Sequence, residues 1–175
     1  MFSLTSSNSK SNNMKKSKSH QTVSYEVFKD HWKQVQLIFN KSLISEDDVE
    51  IVKNNLNQMI FLLMDELNTI ANLALNTNKL IGSIDTNNIA EINNRFHGPI
   101  WAYLINNNIF ETVYLWSLSY PEYLFDLKGE QLKYYESLIN HMQSNEQTNL
   151  LLYNQLYKPL FSLLNHCSTH TSEEI

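Results

Sequence analysis

A single cysteine, Cys167, stands in a chain of 175 residues. No disulfide framework is therefore expected, and the chain fits a reducing compartment. Glycine and proline are almost as scarce, at three each. That is too few for the punctuated turns of a β-rich architecture and agrees with long helical runs. No stretch of about 18 uncharged apolar residues occurs, so no membrane-spanning helix is expected. The first lysines are not followed by an apolar core, so no secretory signal is expected either. A Gly-rich phosphate loop is missing, as are HExxH and GxSxG signatures.

What is present belongs to a folded chain. Hydrophobic residues make up 42% and aromatic residues 11%, and a chain of 175 residues is long enough to bury about 70% of its unfolded surface in one domain. Asparagine is over-used, as in Asn106-Asn107-Asn108; it is a poor helix former, and it reads as compositional drift. Charge is segregated. Residues 1–22 carry Lys10, Lys15, Lys16 and Lys18 with no acid, whereas 23–175 hold nine basic and eighteen acidic groups, a net −9. An acidic body is poorly suited to neutralising phosphates, so nucleic acid is not an expected partner. The Ser/Asn/Lys-rich stretch 1–22 reads as a disordered tail, and 23–175 as one helical domain.

Apolar residues recur with helical period from Phe28. Phe28, Trp32, Val35 and Phe39 share one stripe, with Lys29, Lys33 and Gln36 facing away. Asp30 and His31 thus fall on an ordinary amphipathic helix. Ser45-Glu46-Asp47-Asp48 starts a second helix, with an N-cap serine and acids in the first turn. Asp48 stands where a capping box usually has Glu, so the reciprocal bond is left open. The pattern runs to about Leu67, and residues 68–95 read as a frayed end and a loop insert. Gly98-Pro99 restarts a helix that Asn106–Asn108 break. Ile109–Leu118 follows and stops before Pro121. Lys128–Met142 and Leu150–Cys167 complete the set, with Pro159 as a kink or break and 168–175 as a loop. The expected fold is all-α, short helices packed as an α-solenoid-like or irregular helical bundle, since no strict repeat is visible.

Candidate chemistry is thin. His166, Cys167 and His170 are the most ligand-like group, but zinc needs about four ligands. A helix end running into a polar loop explains them better. The pairs Asp47-Asp48 and Asp65-Glu66 read as solvated faces, because adjacent helical residues point apart. No catalytic, cofactor-binding or metal-binding residue is assigned, and the enzyme reading has no residue set. Trp32 and Trp116 sit on apolar faces and read as core; Trp101, beside Tyr103, is balanced between core and partner contact.

Five blocks in order, FKDHWKQV (28–35), DDVEIVKNNLNQMIFLLMDE (47–66), GPIWAYLINNNIFETVYLWSL (98–118), LKGEQLKYYESLI (127–139) and LYKPLFSLLNHCS (156–168), resemble the N-terminal region of the FTS–Hook-interacting protein (FHIP) family. This is also called the retinoic-acid-induced-16-like family. The departures are the insert at 68–95, the shorter acid Asp65, and many asparagines; family members run to many hundreds of residues. The resemblance implies a non-enzymatic adaptor without cofactor. Its partners would be a Hook-type coiled-coil protein and FTS, in a complex linking dynein to endosomal vesicles, with a Rab GTPase on the vesicle. It implies a cytoplasmic protein, peripherally associated with endosomes. It carries over no partner-binding residue, and His31 and Lys133 remain mere surface candidates. An incomplete solenoid exposes an apolar face where its next helices would stack, expected along Leu150–Cys167. Two other readings stay open: a free-standing interaction module with an unrelated partner, and an enzyme of unrecognised type, whose pocket would gather His, Cys and carboxylates.

Overall fold

The structure is a computed structural model. It describes the backbone of residues 8–78, 98–144 and 153–170, with side chains over 21–73, 98–123, 126–142 and 153–165. Six α-helices appear among the described residues: α1 Asn8–Phe39, α2 Glu46–Asn78, α3 Pro99–Asn106, α4 Ile109–Leu118, α5 Leu124–Ser144 and α6 Asn154–His170. A 3₁₀ turn, Pro121–Tyr123, precedes α5. The all-α expectation holds, but α1 and α2 are long, at 32 and 33 residues, not short. Once a helix is nucleated, each further residue adds a hydrogen bond for one more fixed residue. Elongation therefore carries α1 back to Asn8, inside the stretch expected as tail, and α2 on to Asn78, past the expected loop start at 68. The rest of that insert, from residue 79, lies outside the described residues, as do residues 1–7.

α1 and α2 pack as an antiparallel hairpin. One face of α1 buries Phe28, Trp32, Val35 and Ile38; α2 answers with Val49, Val52, Leu56, Met59 and Leu63. Across the pair, the His31 Nδ1 donates to Asn55 Oδ1 at 2.8 Å. The Asn55 amide nitrogen donates to the Ile51 carbonyl, which turns its oxygen, an acceptor only, toward the imidazole. At the tip of the hairpin the capping box closes with Asp in place of Glu. The Asp48 amide donates to Ser45 Oγ and the Ser45 amide to Asp48 Oδ2, each at 3.2 Å. Lys41 adds a 2.6 Å bond to Asp48 Oδ1. The expectation of a solvated Asp47-Asp48 pair is corrected here: Asp47 is exposed but Asp48 is buried, its carboxylate accepting from the Ser45 amide on one oxygen and from Lys41 on the other. The Lys41 bond, then the Ser45 amide, hold its carboxyl below the ordinary range. That stabilisation is present above the ordinary aspartate value and is lost as pH falls through the depressed folded value. Ser45→Ala should cost about 1 kcal/mol in a denaturant titration, and Lys41→Met should shift the acid unfolding midpoint upward.

Asn106–Asn108 end α3 and open α4, with Asn108 at φ 48°, ψ 42°. This left-handed conformation suits asparagine better than a branched residue. α5 starts at Leu124, four residues before the expected Lys128. α6 runs through Pro159 and on to His170, beyond the expected end. Pro159 removes only the bond to the Gln155 carbonyl. Burial of Pro159 and Leu163, with the buried 2.8 Å bond from Tyr135 Oη to the Leu156 carbonyl, fastens α6 to the core.

Candidate interaction surface

His166, Cys167 and His170 lie on α6, but their side chains are outside those described. Among the described residues no group of three or more His, Cys, Asp or Glu side chains is placed to hold a metal ion. No helix there is long and apolar enough to cross a membrane. Lys133 is tied to Glu130 at 2.7 Å and His31 to Asn55, so both surface candidates have partners. Trp101 resolves to core: it is buried, with its ring edge-on to Tyr153 at 5.3 Å. Trp32 and Trp116 are buried as expected.

Asp65-Glu66 was expected on a solvated face, and the structure divides the pair. Asp65 is exposed, while Glu66 is only 5% exposed. Its carboxylate caps α3 across 34 residues of chain, accepting the Ile100 amide at 3.0 Å and the Trp101 amide at 2.9 Å. The α3 N-terminus is thereby fully accounted for. Pro99 has no N–H, Glu66 takes the next two, and the Ala102 amide returns to the Gly98 carbonyl. The carboxylate reaches this far because Gly98 has no side chain; a Cβ there would overlap the carboxyl group. Desolvation holds the Glu66 carboxyl above the ordinary range, opposed by the two amide donors. The adjoining cleft is lined by Gln21, Ser24, Leu62, Asp65, Thr69 and Ile100, among others. Those groups, with Glu66 already satisfied, form a structural joint and show no chemistry.

The outer face of α6 differs in kind. Leu156, Pro159 and Leu163 face the core. One helical stripe away, Tyr157, Phe161 and Leu164 follow the i, i+4, i+7 spacing on the open side. Phe161 is 54% and Leu164 48% exposed. Tyr157 meets Phe161 edge-on at 6.1 Å, and half-buried Leu160 flanks them. No charge interrupts the stripe. A helix apolar on both faces normally has partners on both, and an aromatic patch of this kind is a common protein contact. The expectation of an exposed apolar face on this helix is met at Phe161 and Leu164. Other exposed apolar residues, such as Phe61 on α2 and Leu37 on α1, stand without an aromatic neighbour on their own face.

The chain matches known proteins over most of its length. A family model described as "Retinoic acid induced 16-like protein" covers residues 100–175. The human protein named "FHF complex subunit HOOK-interacting protein 1A" is 31% identical over 160 residues, 85% of this chain and 13% of that protein. The mouse protein of the same name is 31% identical over 153 residues, 81% of this chain and 12% of the relative. An FHIP family protein of Drosophila ananassae is 30% identical over 141 residues, covering 80% and 12%. No solved structure matches. The chain thus spans about an eighth of the length of these relatives. It belongs to the FHIP, or retinoic-acid-induced-16-like, family and corresponds to that family's N-terminal region.

Proposed function

We propose that this chain is a non-enzymatic adaptor segment that offers a helical docking surface to a Hook–FTS-type assembly. The observation that carries the reading is the uncharged Tyr157–Phe161–Leu164 stripe on α6, apolar on a helix whose other face is already packed. The relatives' printed names, as Hook-interacting subunits of the FHF complex, support the choice of partner. In the fuller reading the complex connects dynein to endosomal vesicles in the cytoplasm, with a Rab GTPase on the vesicle.

The test is direct binding of the purified full chain to a Hook-type protein with FTS, by calorimetry or size-exclusion. Phe161→Glu and Leu164→Glu should each weaken binding tenfold or more, about 1.4 kcal/mol or greater, with helical circular dichroism unchanged. A folded wild-type chain that binds neither protein would sink the adaptor reading. Equal binding by both variants would sink the assignment of the α6 face.

A further inference from the structure

Charge and pattern change together toward the first turns of α1. The stripe that buries Phe28, Trp32 and Val35 continues at the same spacing through Tyr25 and Gln21 to Lys18, where a lysine stands in place of an apolar residue. Lys15 and Lys16 fall on the opposite side of the helix, and Lys10 lies about two turns before Lys18. No acid occurs before Glu26, and Glu26 is paired with Lys29 at 2.8 Å.

The hairpin register sets what accompanies these lysines. His31 meets Asn55 across the pair, and antiparallel helices advance equally, so Lys18 stands level with about Asn68 and Lys10 with about Asn76. From Leu67 to Asn78, α2 carries no charge, and residues 79–97 balance Lys79 and Arg95 against Asp85 and Glu91. Glu66 is held on the α3 amides. Among the described residues of the hairpin, Asp65 is thus the one exposed acid without a cation set against four lysines at this end. The exposed acids at the other end, Glu46 and Asp47, are about 30 Å away along the helices, several screening lengths at physiological salt.

Aliphatic surface lies beside the charge. Val23 is 60% and Val27 41% exposed, and both share a stripe with Lys16, at i+7 and i+11 from it. Residues 8–24 contain no Trp, Tyr or Arg. Those residues dominate protein contacts, and Arg grips a carboxylate or phosphate with two parallel bonds. Lysine is a point charge on a flexible stem. Lysines flanked by exposed aliphatics match a surface that is anionic outside and apolar beneath, which is a bilayer with acidic headgroups. We propose that the basic end of the α1–α2 hairpin, from Lys10 to Lys18 with Val23 and Val27, binds an anionic lipid surface. The contact uses none of the α6 stripe, so it stands independently of the adaptor reading.

The experiment is flotation of the purified full chain with phosphatidylcholine vesicles, either pure or containing about 30% phosphatidylserine. Expected is binding to the anionic vesicles alone, lost as salt rises from about 0.1 to about 0.5 M. Replacing Lys15, Lys16 and Lys18 together by Gln should lower the partition coefficient roughly 100-fold, about fivefold for each charge removed. Gln matches Lys in helix propensity, so circular dichroism should not change. Val23→Ser with Val27→Ser should weaken binding several-fold at constant charge. Phe161→Glu should bind vesicles as the unaltered chain does. A folded chain that ignores anionic vesicles overturns the proposal, and its capture by polyglutamate or duplex DNA instead would assign the lysines to that polymer. Equal binding by the triple lysine variant, or loss on Phe161→Glu alone, would place the lipid contact elsewhere and overturn it too.

Discussion

Glu66→Ala should lower stability by about 2–4 kcal/mol, because it strands two backbone N–H groups that nothing else in α3 can satisfy. For a domain of this size that is a melting temperature lower by roughly 5–15 °C. Gly98→Ala should cost a similar amount by a different route, since its Cβ displaces the carboxylate that makes the bonds. The two losses are one loss reached from either end. The double variant should therefore cost little more than the worse single one, a strong departure from additivity. Additive costs would mean that the overlap at Gly98 is absorbed without moving Glu66. A pH series separates the charge from the cap. With its folded value raised above the ordinary 4.5, the Glu66 carboxyl holds its proton in the folded chain at pH values where the unfolded chain has released it. Its contribution therefore falls as pH rises from the ordinary value up through the raised one. Glu66→Gln, which keeps one acceptor and no charge, should remove that slope while losing only part of the cap. A variant with an unchanged pH profile would show that burial does not perturb this group.

How far the sequence reveals such features depends on how local their causes are. Ser45 and Asp48 are three residues apart, so the cap at the start of α2 is readable, and even the less usual Asp closes the box. Pro99 marks the first turn of α3 for the same reason, and Asn106–Asn108 mark its end. Phe28, Trp32 and Val35 reveal the buried face of α1 by period alone. Glu66 is different. Its role is set by a backbone 34 residues away, and nothing in Asp65-Glu66 distinguishes the buried acid from the exposed one; only Gly98, conspicuous among three glycines, hints that something approaches closely. The burial of Trp101 is likewise invisible until Tyr153 arrives from α6. The lengths of α1 and α2 exceed what their sequence suggests because polar Asn, Ser and Thr lower helix propensity without forbidding continuation of a helix already anchored elsewhere. The outer stripe of α6 was legible as an apolar pattern, but pattern alone cannot say which of two apolar faces the fold leaves open.

That last distinction yields a prediction with opposite outcomes at two aromatic residues. Trp32 is 1% exposed and packs edge-on to Phe39 at 6.0 Å, so Trp32→Ala should cost about 3–5 kcal/mol, a lost transfer term plus an unfilled cavity. Trp32→Phe should cost markedly less. The ring stays partly in place, and the substitution also deletes an indole N–H that is buried without an acceptor, returning part of what the smaller ring loses. Phe161, identical in chemistry to many core aromatics, should behave as surface: Phe161→Ala should change stability by no more than about 0.5 kcal/mol, and Phe161→Ser should reduce self-association at high concentration. Chemical denaturation of Trp32→Ala, Trp32→Phe and Phe161→Ala measures the stabilities, and sedimentation of Phe161→Ser measures the self-association. A large cost at Phe161 would mean that the outer face of α6 is covered in the free chain. The adaptor reading would then lose the open surface on which it rests, whereas a neutral result leaves an aromatic stripe with no folding role in this chain, free to take a partner or further helices stacked upon it.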